Sequence, residues 1–234
     1  MNSVKLIGVT QPTLGVYGTK PSGNKELDDD SIKMNAEGLI AYCARVSNPA
    51  NQDNPDSEKL LKYLVKNKHW SPFEKVHIVM EIETTRDIGR QILRHRSFSF
   101  QEFSQRYAAV VNMISEPREA RLQDTKNRQN SIETDDENIK LEWERQQGYV
   151  AGVAHKVYDW AINNGVAKEQ ARVVLPEGLT MSRMYMSGSL RSWIHYCELR
   201  MGNGTQKEHR EIATQCWNII TEQFPSLKSV LDNQ

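Results

Sequence analysis

The sequence predicts a single α+β domain over residues 1–234, and three observations carry that expectation. A few short stretches alternate apolar and polar residues with the period of a strand. The clearest is VHIVMEIET at 76–84, where Val76, Ile78, Met80 and Ile82 share one face. Several longer stretches carry helical periodicity with cap residues at their ends. No repeat, low-complexity tract or shift in composition divides the 234 residues, a length that buries a core without staples.

The elements follow in order. VKLIGVT at 4–10 is short and β-branched and reads as a strand, and 11–32, with its Pro, Gly and Asp run, as a loop. NAEGLIAYCARVS (35–47) has a helical pattern. DSEKLLKYLVKNK (56–68) reads as an amphipathic helix with Asp56 or Ser57 as N-cap, and HWSPFEK after it is turn-like. Beyond the 76–84 strand, Thr84-x-x-Asp87 has the form of a capping box, and Ile88 and Ile92 make an apolar stripe. The spacing therefore predicts a helix over 84–96 whose last turn is Arg94–Arg96. Residues 97–103 read as a loop, with a strand starting near Ser104. The polar stretch 118–137 reads as exposed. A long helix is expected over about 139–164, stopped by Asn163-Asn164-Gly165. AKEQARVVL reads as a short helix ending at Pro176, TMSRMYMS (180–187) as a strand, and 189–201 and 205–224 as two more helices.

Composition excludes several classes of function. Lys and Arg total 30 and so do Asp and Glu, which argues against a protein that coats nucleic acid or a membrane surface. The three cysteines, Cys43, Cys197 and Cys216, match no zinc or redox spacing and suit a reducing compartment. MNSVKLIGVTQP holds no long apolar core and no run reaches membrane-spanning length, so a cytoplasmic protein without a membrane partner is expected. The histidines show no metal-ligand spacing, so no metal is expected, and no G-x-G-x-x-G, Walker A or G-x-S-x-G motif occurs.

Against that neutral background, RQILRHRSFSFQEFSQRY (90–107) concentrates cations at Arg90, Arg94, His95, Arg96 and Arg106, with Glu102 its single acid. Basic residues in a last helical turn favour the negative end of the helix dipole, and that accounts for one or two of them. Three successive helical residues point about 100° apart, however, and so cannot share one solvated face. Arginines offer bidentate donors to phosphate, and Gln91, Ser104 and Tyr107 add neutral groups, so an anionic ligand such as a nucleotide is the natural guest. A second set is Arg172, Arg191, His195 and Arg200, with Arg191 and His195 at i, i+4. Each of these alone reads as a surface residue sooner than as a ligand, and only their number points to a site. In His69-Trp70-Ser71-Pro72-Phe73-Glu74 a turn either grips a ring cofactor or is an ordinary proline turn with packed aromatics. Cys197 and His195, two apart on a helix, face different ways, and Ser104 has no general base at local spacing, so nucleophilic catalysis is not supported.

Arg94-His95-Arg96, seven residues and Ser104 resemble the R-H-R-x7-S signature of the flavin-dependent thymidylate synthases, the ThyX family. HWSPFEK resembles that family's H-x-[ST]-P-F-E-H turn, with Lys75 where a histidine is common. ARVVLP (171–176), SLRSWIHYCELR (189–200) and a T-Q-x-E-x-R-E-I segment at 205–212 follow in order. The resemblance implies an α+β fold with a mainly antiparallel sheet flanked by helices, in a homotetramer whose active sites lie at subunit interfaces. It implies reductive methylation of dUMP to dTMP, with 5,10-methylenetetrahydrofolate as carbon donor and FAD, re-reduced by NADPH, as hydride donor. By the same resemblance His69, Ser71, Arg94, His95, Arg96, Glu102, Ser189, Arg191 and His195 bind FAD. Gln91, Arg94, Glu102, Ser104, Gln105, Arg106, Arg172 and Arg200 bind dUMP. Arg200 is the residue expected to contact the uracil and promote loss of its N3 proton, stabilising charge on the base without an enzyme thiolate. The alternative is a non-catalytic nucleotide- or RNA-binding protein that uses the Arg94–Arg106 cluster.

Overall fold

The computed structural model describes residues 2–13, 34–110, 117–228 and 230; most of the loop expected at 11–32 lies outside them. The chain forms β1 (Ser3–Val9), α1 (Ala36–Ala44), α2 (Glu58–Lys66), β2 (His77–Thr85), α3 (Arg86–Ile92) and β3 (Ser99–Glu102). There follow β4 (Arg121–Gln123), β5 (Ser131–Glu133), α4 (Glu137–Asn163), α5 (Lys168–Ala171), β6 (Met181–Ser189), α6 (Leu190–Arg200) and α7 (Lys207–Gln223). Four strands form one sheet in the order β1-β2-β6-β3. Ser3 Oγ donates to Glu83 Oε2 (3.3 Å) and Thr10 N to His77 O (3.0 Å), so β1 and β2 run antiparallel. Arg86 N donates to Thr180 O (2.9 Å) and Leu190 N to Val76 O (2.8 Å), which makes β2 and β6 antiparallel as well. The alternation expected of 76–84 is there: Ile78, Met80, Ile82 and Thr84 are fully buried.

Two compact units divide the chain, neither of them continuous in sequence. One comprises Met1–Val4, Glu81–Met186 and Arg200–Thr214; the other Lys5–Met80, Ser187–Leu199 and Gln215–Gln234. In the second unit α1 packs on α2 and on a 3-10 turn at Ser71–Lys75. Phe73, Ile40, Leu61, Trp193 and Phe224 are buried there, and Trp193 Nε1 donates to Ile78 O (3.2 Å). In the first unit the 27-residue α4 begins at Asp136, whose carboxylate accepts from the N–H groups of Asn138 (3.0 Å) and Ile139 (3.2 Å). It ends, as expected, at an Asn-Asn-Gly stop, with Gly165 at φ 78° and Val166 N bonded to Ala161 O (2.9 Å). Its inner face buries Gln147, Ala154, Tyr158 and Ala161, and the Tyr158 hydroxyl accepts from Val110 N (2.9 Å).

Three expectations are corrected. Helix α3 stops at Ile92 and not at Arg96, because Arg94 N and His95 N turn to carbonyls three residues back (Gln91 O, 3.4 Å; Ile92 O, 3.1 Å). Its N-cap is Thr85, whose hydroxyl donates to Asp87 Oδ1 (2.6 Å) and accepts from no backbone N–H of the helix, while Thr84 donates to Asn2 Oδ1 (2.9 Å). The strand expected near Ser104 lies earlier, at Ser99–Glu102, within the stretch read as a loop, and Phe103 N continues it to Arg183 O (2.8 Å). The polar stretch 118–137 is largely exposed, as expected, and contains the antiparallel β4–β5 hairpin, with Leu122 opposite Ile132.

Candidate active site

The end of α3 and the start of α7 bring a polar chain together in the first unit. Arg200, the last residue of α6, donates from Nε to His95 Nε2 at 2.9 Å. An arginine only donates, so His95 Nε2 is an acceptor and the proton of the neutral ring sits on Nδ1. Burial, then the charges of Arg200 and Arg94, hold the His95 pKa down at about 4. The His209 ring stands 6.3 Å from that of His95 at 85° and is fully buried. Its pKa falls to about 3, by burial first, then by Arg200 and His95. His209 Nδ1 meets Gln91 Oε1 at 3.3 Å, Gln91 Nε2 donates to Gln206 Oε1 at 2.8 Å, and Gln206 Nε2 donates to Glu208 Oε2 at 2.9 Å. Glu208 Oε1 pairs with Arg121.

Because α3 ends early, a turn separates the three basic residues: Arg94 and Arg96 are exposed while His95 is half-buried. Among the described residues neither arginine has a carboxylate partner. Glu102, at the end of β3, accepts from Ser182 Oγ (3.1 Å) and faces Arg86 (3.4 Å), which is buried and lies 3.7 Å from Glu177. Ser104 Oγ accepts from Arg106 N (3.4 Å), and the Arg106 side chain pairs with Glu169 at 3.2 Å. Gln105 is 4% exposed, and among the described residues its Nε2 is a buried donor without an acceptor. Arg172 is half-buried in the turn after α5 and makes no ion pair among the described residues.

Five further candidates belong to the second unit. Arg191 donates to Glu74 Oε1 at 2.6 Å, which ties α6 to the Ser71–Lys75 turn. His195 packs edge-on to Trp70 at 4.7 Å, and its pKa is lowered by burial first and by Arg191, against an opposing effect of Glu198. Ser189 accepts from Ser192 N (3.3 Å), so here it caps α6. His69 lies edge-on to Tyr63 at 6.0 Å, and both His69 and Ser71 are exposed.

Sequence reasoning passed over Arg86, Gln206, Glu208 and His209. The 205–212 motif held the last three, but only the fold shows that Gln206 and His209 face Gln91 and that Glu208 meets Gln206. Neither Cys197 nor Cys216 is an activated thiol. Cys197 and Cys216 are fully buried and burial pushes both pKa values up, while Cys43 is partly accessible. No group of three or more metal-ligating side chains occurs among the described residues.

Residues 31–226 match the family described as thymidylate synthase complementing protein. A probable flavin-dependent thymidylate synthase of Paramecium bursaria Chlorella virus 1 is 46% identical over 98% of this chain and 99% of its own. The flavin-dependent thymidylate synthase of a Synechocystis strain is 50% identical over 92% of this chain and 96% of its own. Among solved structures, a UMP/dUMP methylase, PolB, from Streptomyces cacaoi bound with 5-Br dUMP shares the fold, with a TM-score of 0.78. At 22% identity it covers 100% of this chain and 95% of its own.

Proposed function

Because this chain belongs to the thymidylate synthase complementing protein family, we propose that it is a flavin-dependent thymidylate synthase that methylates dUMP to dTMP. In this reading 5,10-methylenetetrahydrofolate is the carbon donor and NADPH the source of reducing equivalents. The observation that carries it is Arg200, a fixed cation held through Nε by a histidine that stays neutral at physiological pH. Its terminal nitrogens form the fork suited to a planar imide edge. A guanidinium so anchored stabilises negative charge as uracil N3 loses its proton. The buried thiols suit a route that needs no cysteine nucleophile.

The side chains fit both guests. The orphaned Gln105 Nε2 lacks an acceptor of the kind a nucleotide supplies, and Arg94, Arg96 and Arg172 offer charge to phosphate. FAD would be held by His69, Ser71, Ser189, Arg191 and His195 together with Arg94, His95, Arg96 and Glu102. Once reduced it supplies the hydride, while the protein orients the base and excludes water. Gln91, Ser104 and Arg106 would hold the nucleotide beside Glu102.

Outward residues of α4 support the homotetramer. Ile139, Trp143, Val150, Val153, Val157 and Trp160 recur at alternating four- and three-residue steps, broken only by Gln146, and each is between 40% and 64% exposed. A subunit interface covers such a seam. A cytoplasmic location goes with the unpaired cysteines, and no helix among the described residues is long and apolar enough to cross a membrane. The RNA-binding alternative draws less support, since Arg106 is matched by Glu169 and Arg90 by Glu177.

The test is an assay with dUMP, methylenetetrahydrofolate and NADPH on purified protein, which should be yellow with bound flavin and form dTMP. Arg200→Ala should keep its colour and lose dTMP formation. A colourless protein that takes up no FAD, or undiminished turnover by the variant, overturns the reading.

A further inference from the structure

We propose that Glu208 is a positioning residue that sets the orientation of the Gln91 amide through Gln206. This rests on the assignment of Gln91 to the nucleotide site. An amide side chain can turn over, exchanging its donor and acceptor ends, and only its neighbours decide which way it lies. Here one group decides for the whole chain. An ionised carboxylate accepts and never donates. Glu208 is anchored by Arg121, and its Oε2 lies 2.9 Å from Gln206 Nε2, so Gln206 must present its NH2 there. Gln206 Oε1 then faces Gln91 and accepts from its Nε2 at 2.8 Å. Gln91 Oε1 is left toward His209 Nδ1 at 3.3 Å, which fixes the proton of that neutral ring on Nδ1. Every donor from His209 to Glu208 thus points one way, and Arg121 donates to Glu208 from the other side.

The consequence falls on Gln91. One N–H goes to Gln206 and one carbonyl lone pair to His209. A second N–H and a second lone pair remain for a ligand, and Glu208 decides which side of the amide carries each. Glu208 and His209 lie in the first turn of α7 and Gln206 just before it, so the entry into one helix sets the relay. With a neutral amide at 208, Arg121 still claims the oxygen and the NH2 turns to Gln206, so Gln206, Gln91 and the His209 proton reverse together.

Glu208→Gln is isosteric and tests this in the flavin-loaded protein. Titration calorimetry with dUMP should show affinity about tenfold weaker, as expected when one hydrogen bond to a ligand is mismatched, with the flavin spectrum unchanged. The double variant Gln206→Glu/Glu208→Gln moves the carboxylate one step nearer to Gln91 at constant charge. It should restore affinity, a rescue that a merely structural role for Glu208 does not predict. Independently of any ligand, histidine 15N shifts should report the Nδ1–H tautomer of His209 in the wild type and the Nε2–H tautomer in Glu208→Gln. An unchanged tautomer or unchanged dUMP affinity in Glu208→Gln overturns the proposal, and so does a double variant no better than the single one. A wild type whose tautomer behaves as described but which binds no dUMP leaves the relay standing and overturns the assignment of Gln91 to the nucleotide.

Discussion

Acid should loosen this protein through His209. The ring is fully buried and its pKa falls from 6.5 to about 3, with burial the largest cause. In the unfolded chain the imidazole takes a proton below its ordinary pKa near 6.5; in the fold it does not until about pH 3. The unfolded state therefore binds more protons throughout that window, and stability falls as pH drops through it. Between pH 7 and pH 5 this one group costs about 2 kcal/mol, from about 1.4 kcal/mol per unit below the unfolded pKa. The perturbation is His209→Gln, whose amide still donates to Gln91 but takes up no proton. The assay is urea unfolding at fixed protein concentration, at pH 7 and pH 5. Wild type should lose about 2 kcal/mol more than the variant across that interval. His95 titrates in the same direction, and since it is common to both proteins it cancels. Parallel losses would refute the reasoning, because they would place the protonation of His209 in the fold near its value in water.

Other outcomes follow from single features. Gln105→Leu removes a buried donor that has no acceptor, so the ligand-free protein should gain about 1 kcal/mol in urea unfolding while its affinity for dUMP falls. Trp160→Glu places a charge in the outward seam of α4, and light scattering should show a smaller assembly than the wild type. Gly165→Ala forces a side chain onto φ 78° at the end of α4 and should lower stability by about 1 kcal/mol, read as a shift in the melting temperature.

Much of the fold was legible because local chemistry and tertiary context agree. The 76–84 strand buries the face that its alternation marks, and Asn163-Asn164-Gly165 stops α4 in the backbone conformation a glycine favours. The miss at 93–103 is instructive. Arg94 and Arg96 suit a helix end, which extended α3 by four residues on paper. Yet Ser97-Phe98-Ser99-Phe100 carries a period of two, and pairing with β6 claims Ser99–Glu102 as a strand. That alternation was the available signal. For the candidate site, residue types and order pointed to Gln91, His95 and Arg200. The contact between His95 and Arg200, 105 residues apart, and the chain from Gln91 through Gln206 to Glu208 follow from packing and have no local signature. Arg86 was equally invisible, since one arginine at the start of a helix announces nothing about the two carboxylates it meets in the fold.

The cysteines have a practical consequence. With Cys197 and Cys216 sealed in the interior, a maleimide reagent under native conditions should find Cys43 alone. The wild-type sequence therefore supplies one addressable thiol on α1, distant in sequence from every residue proposed to act on the nucleotide. A dye placed there would report binding, assembly or unfolding without a cysteine having to be engineered in or out.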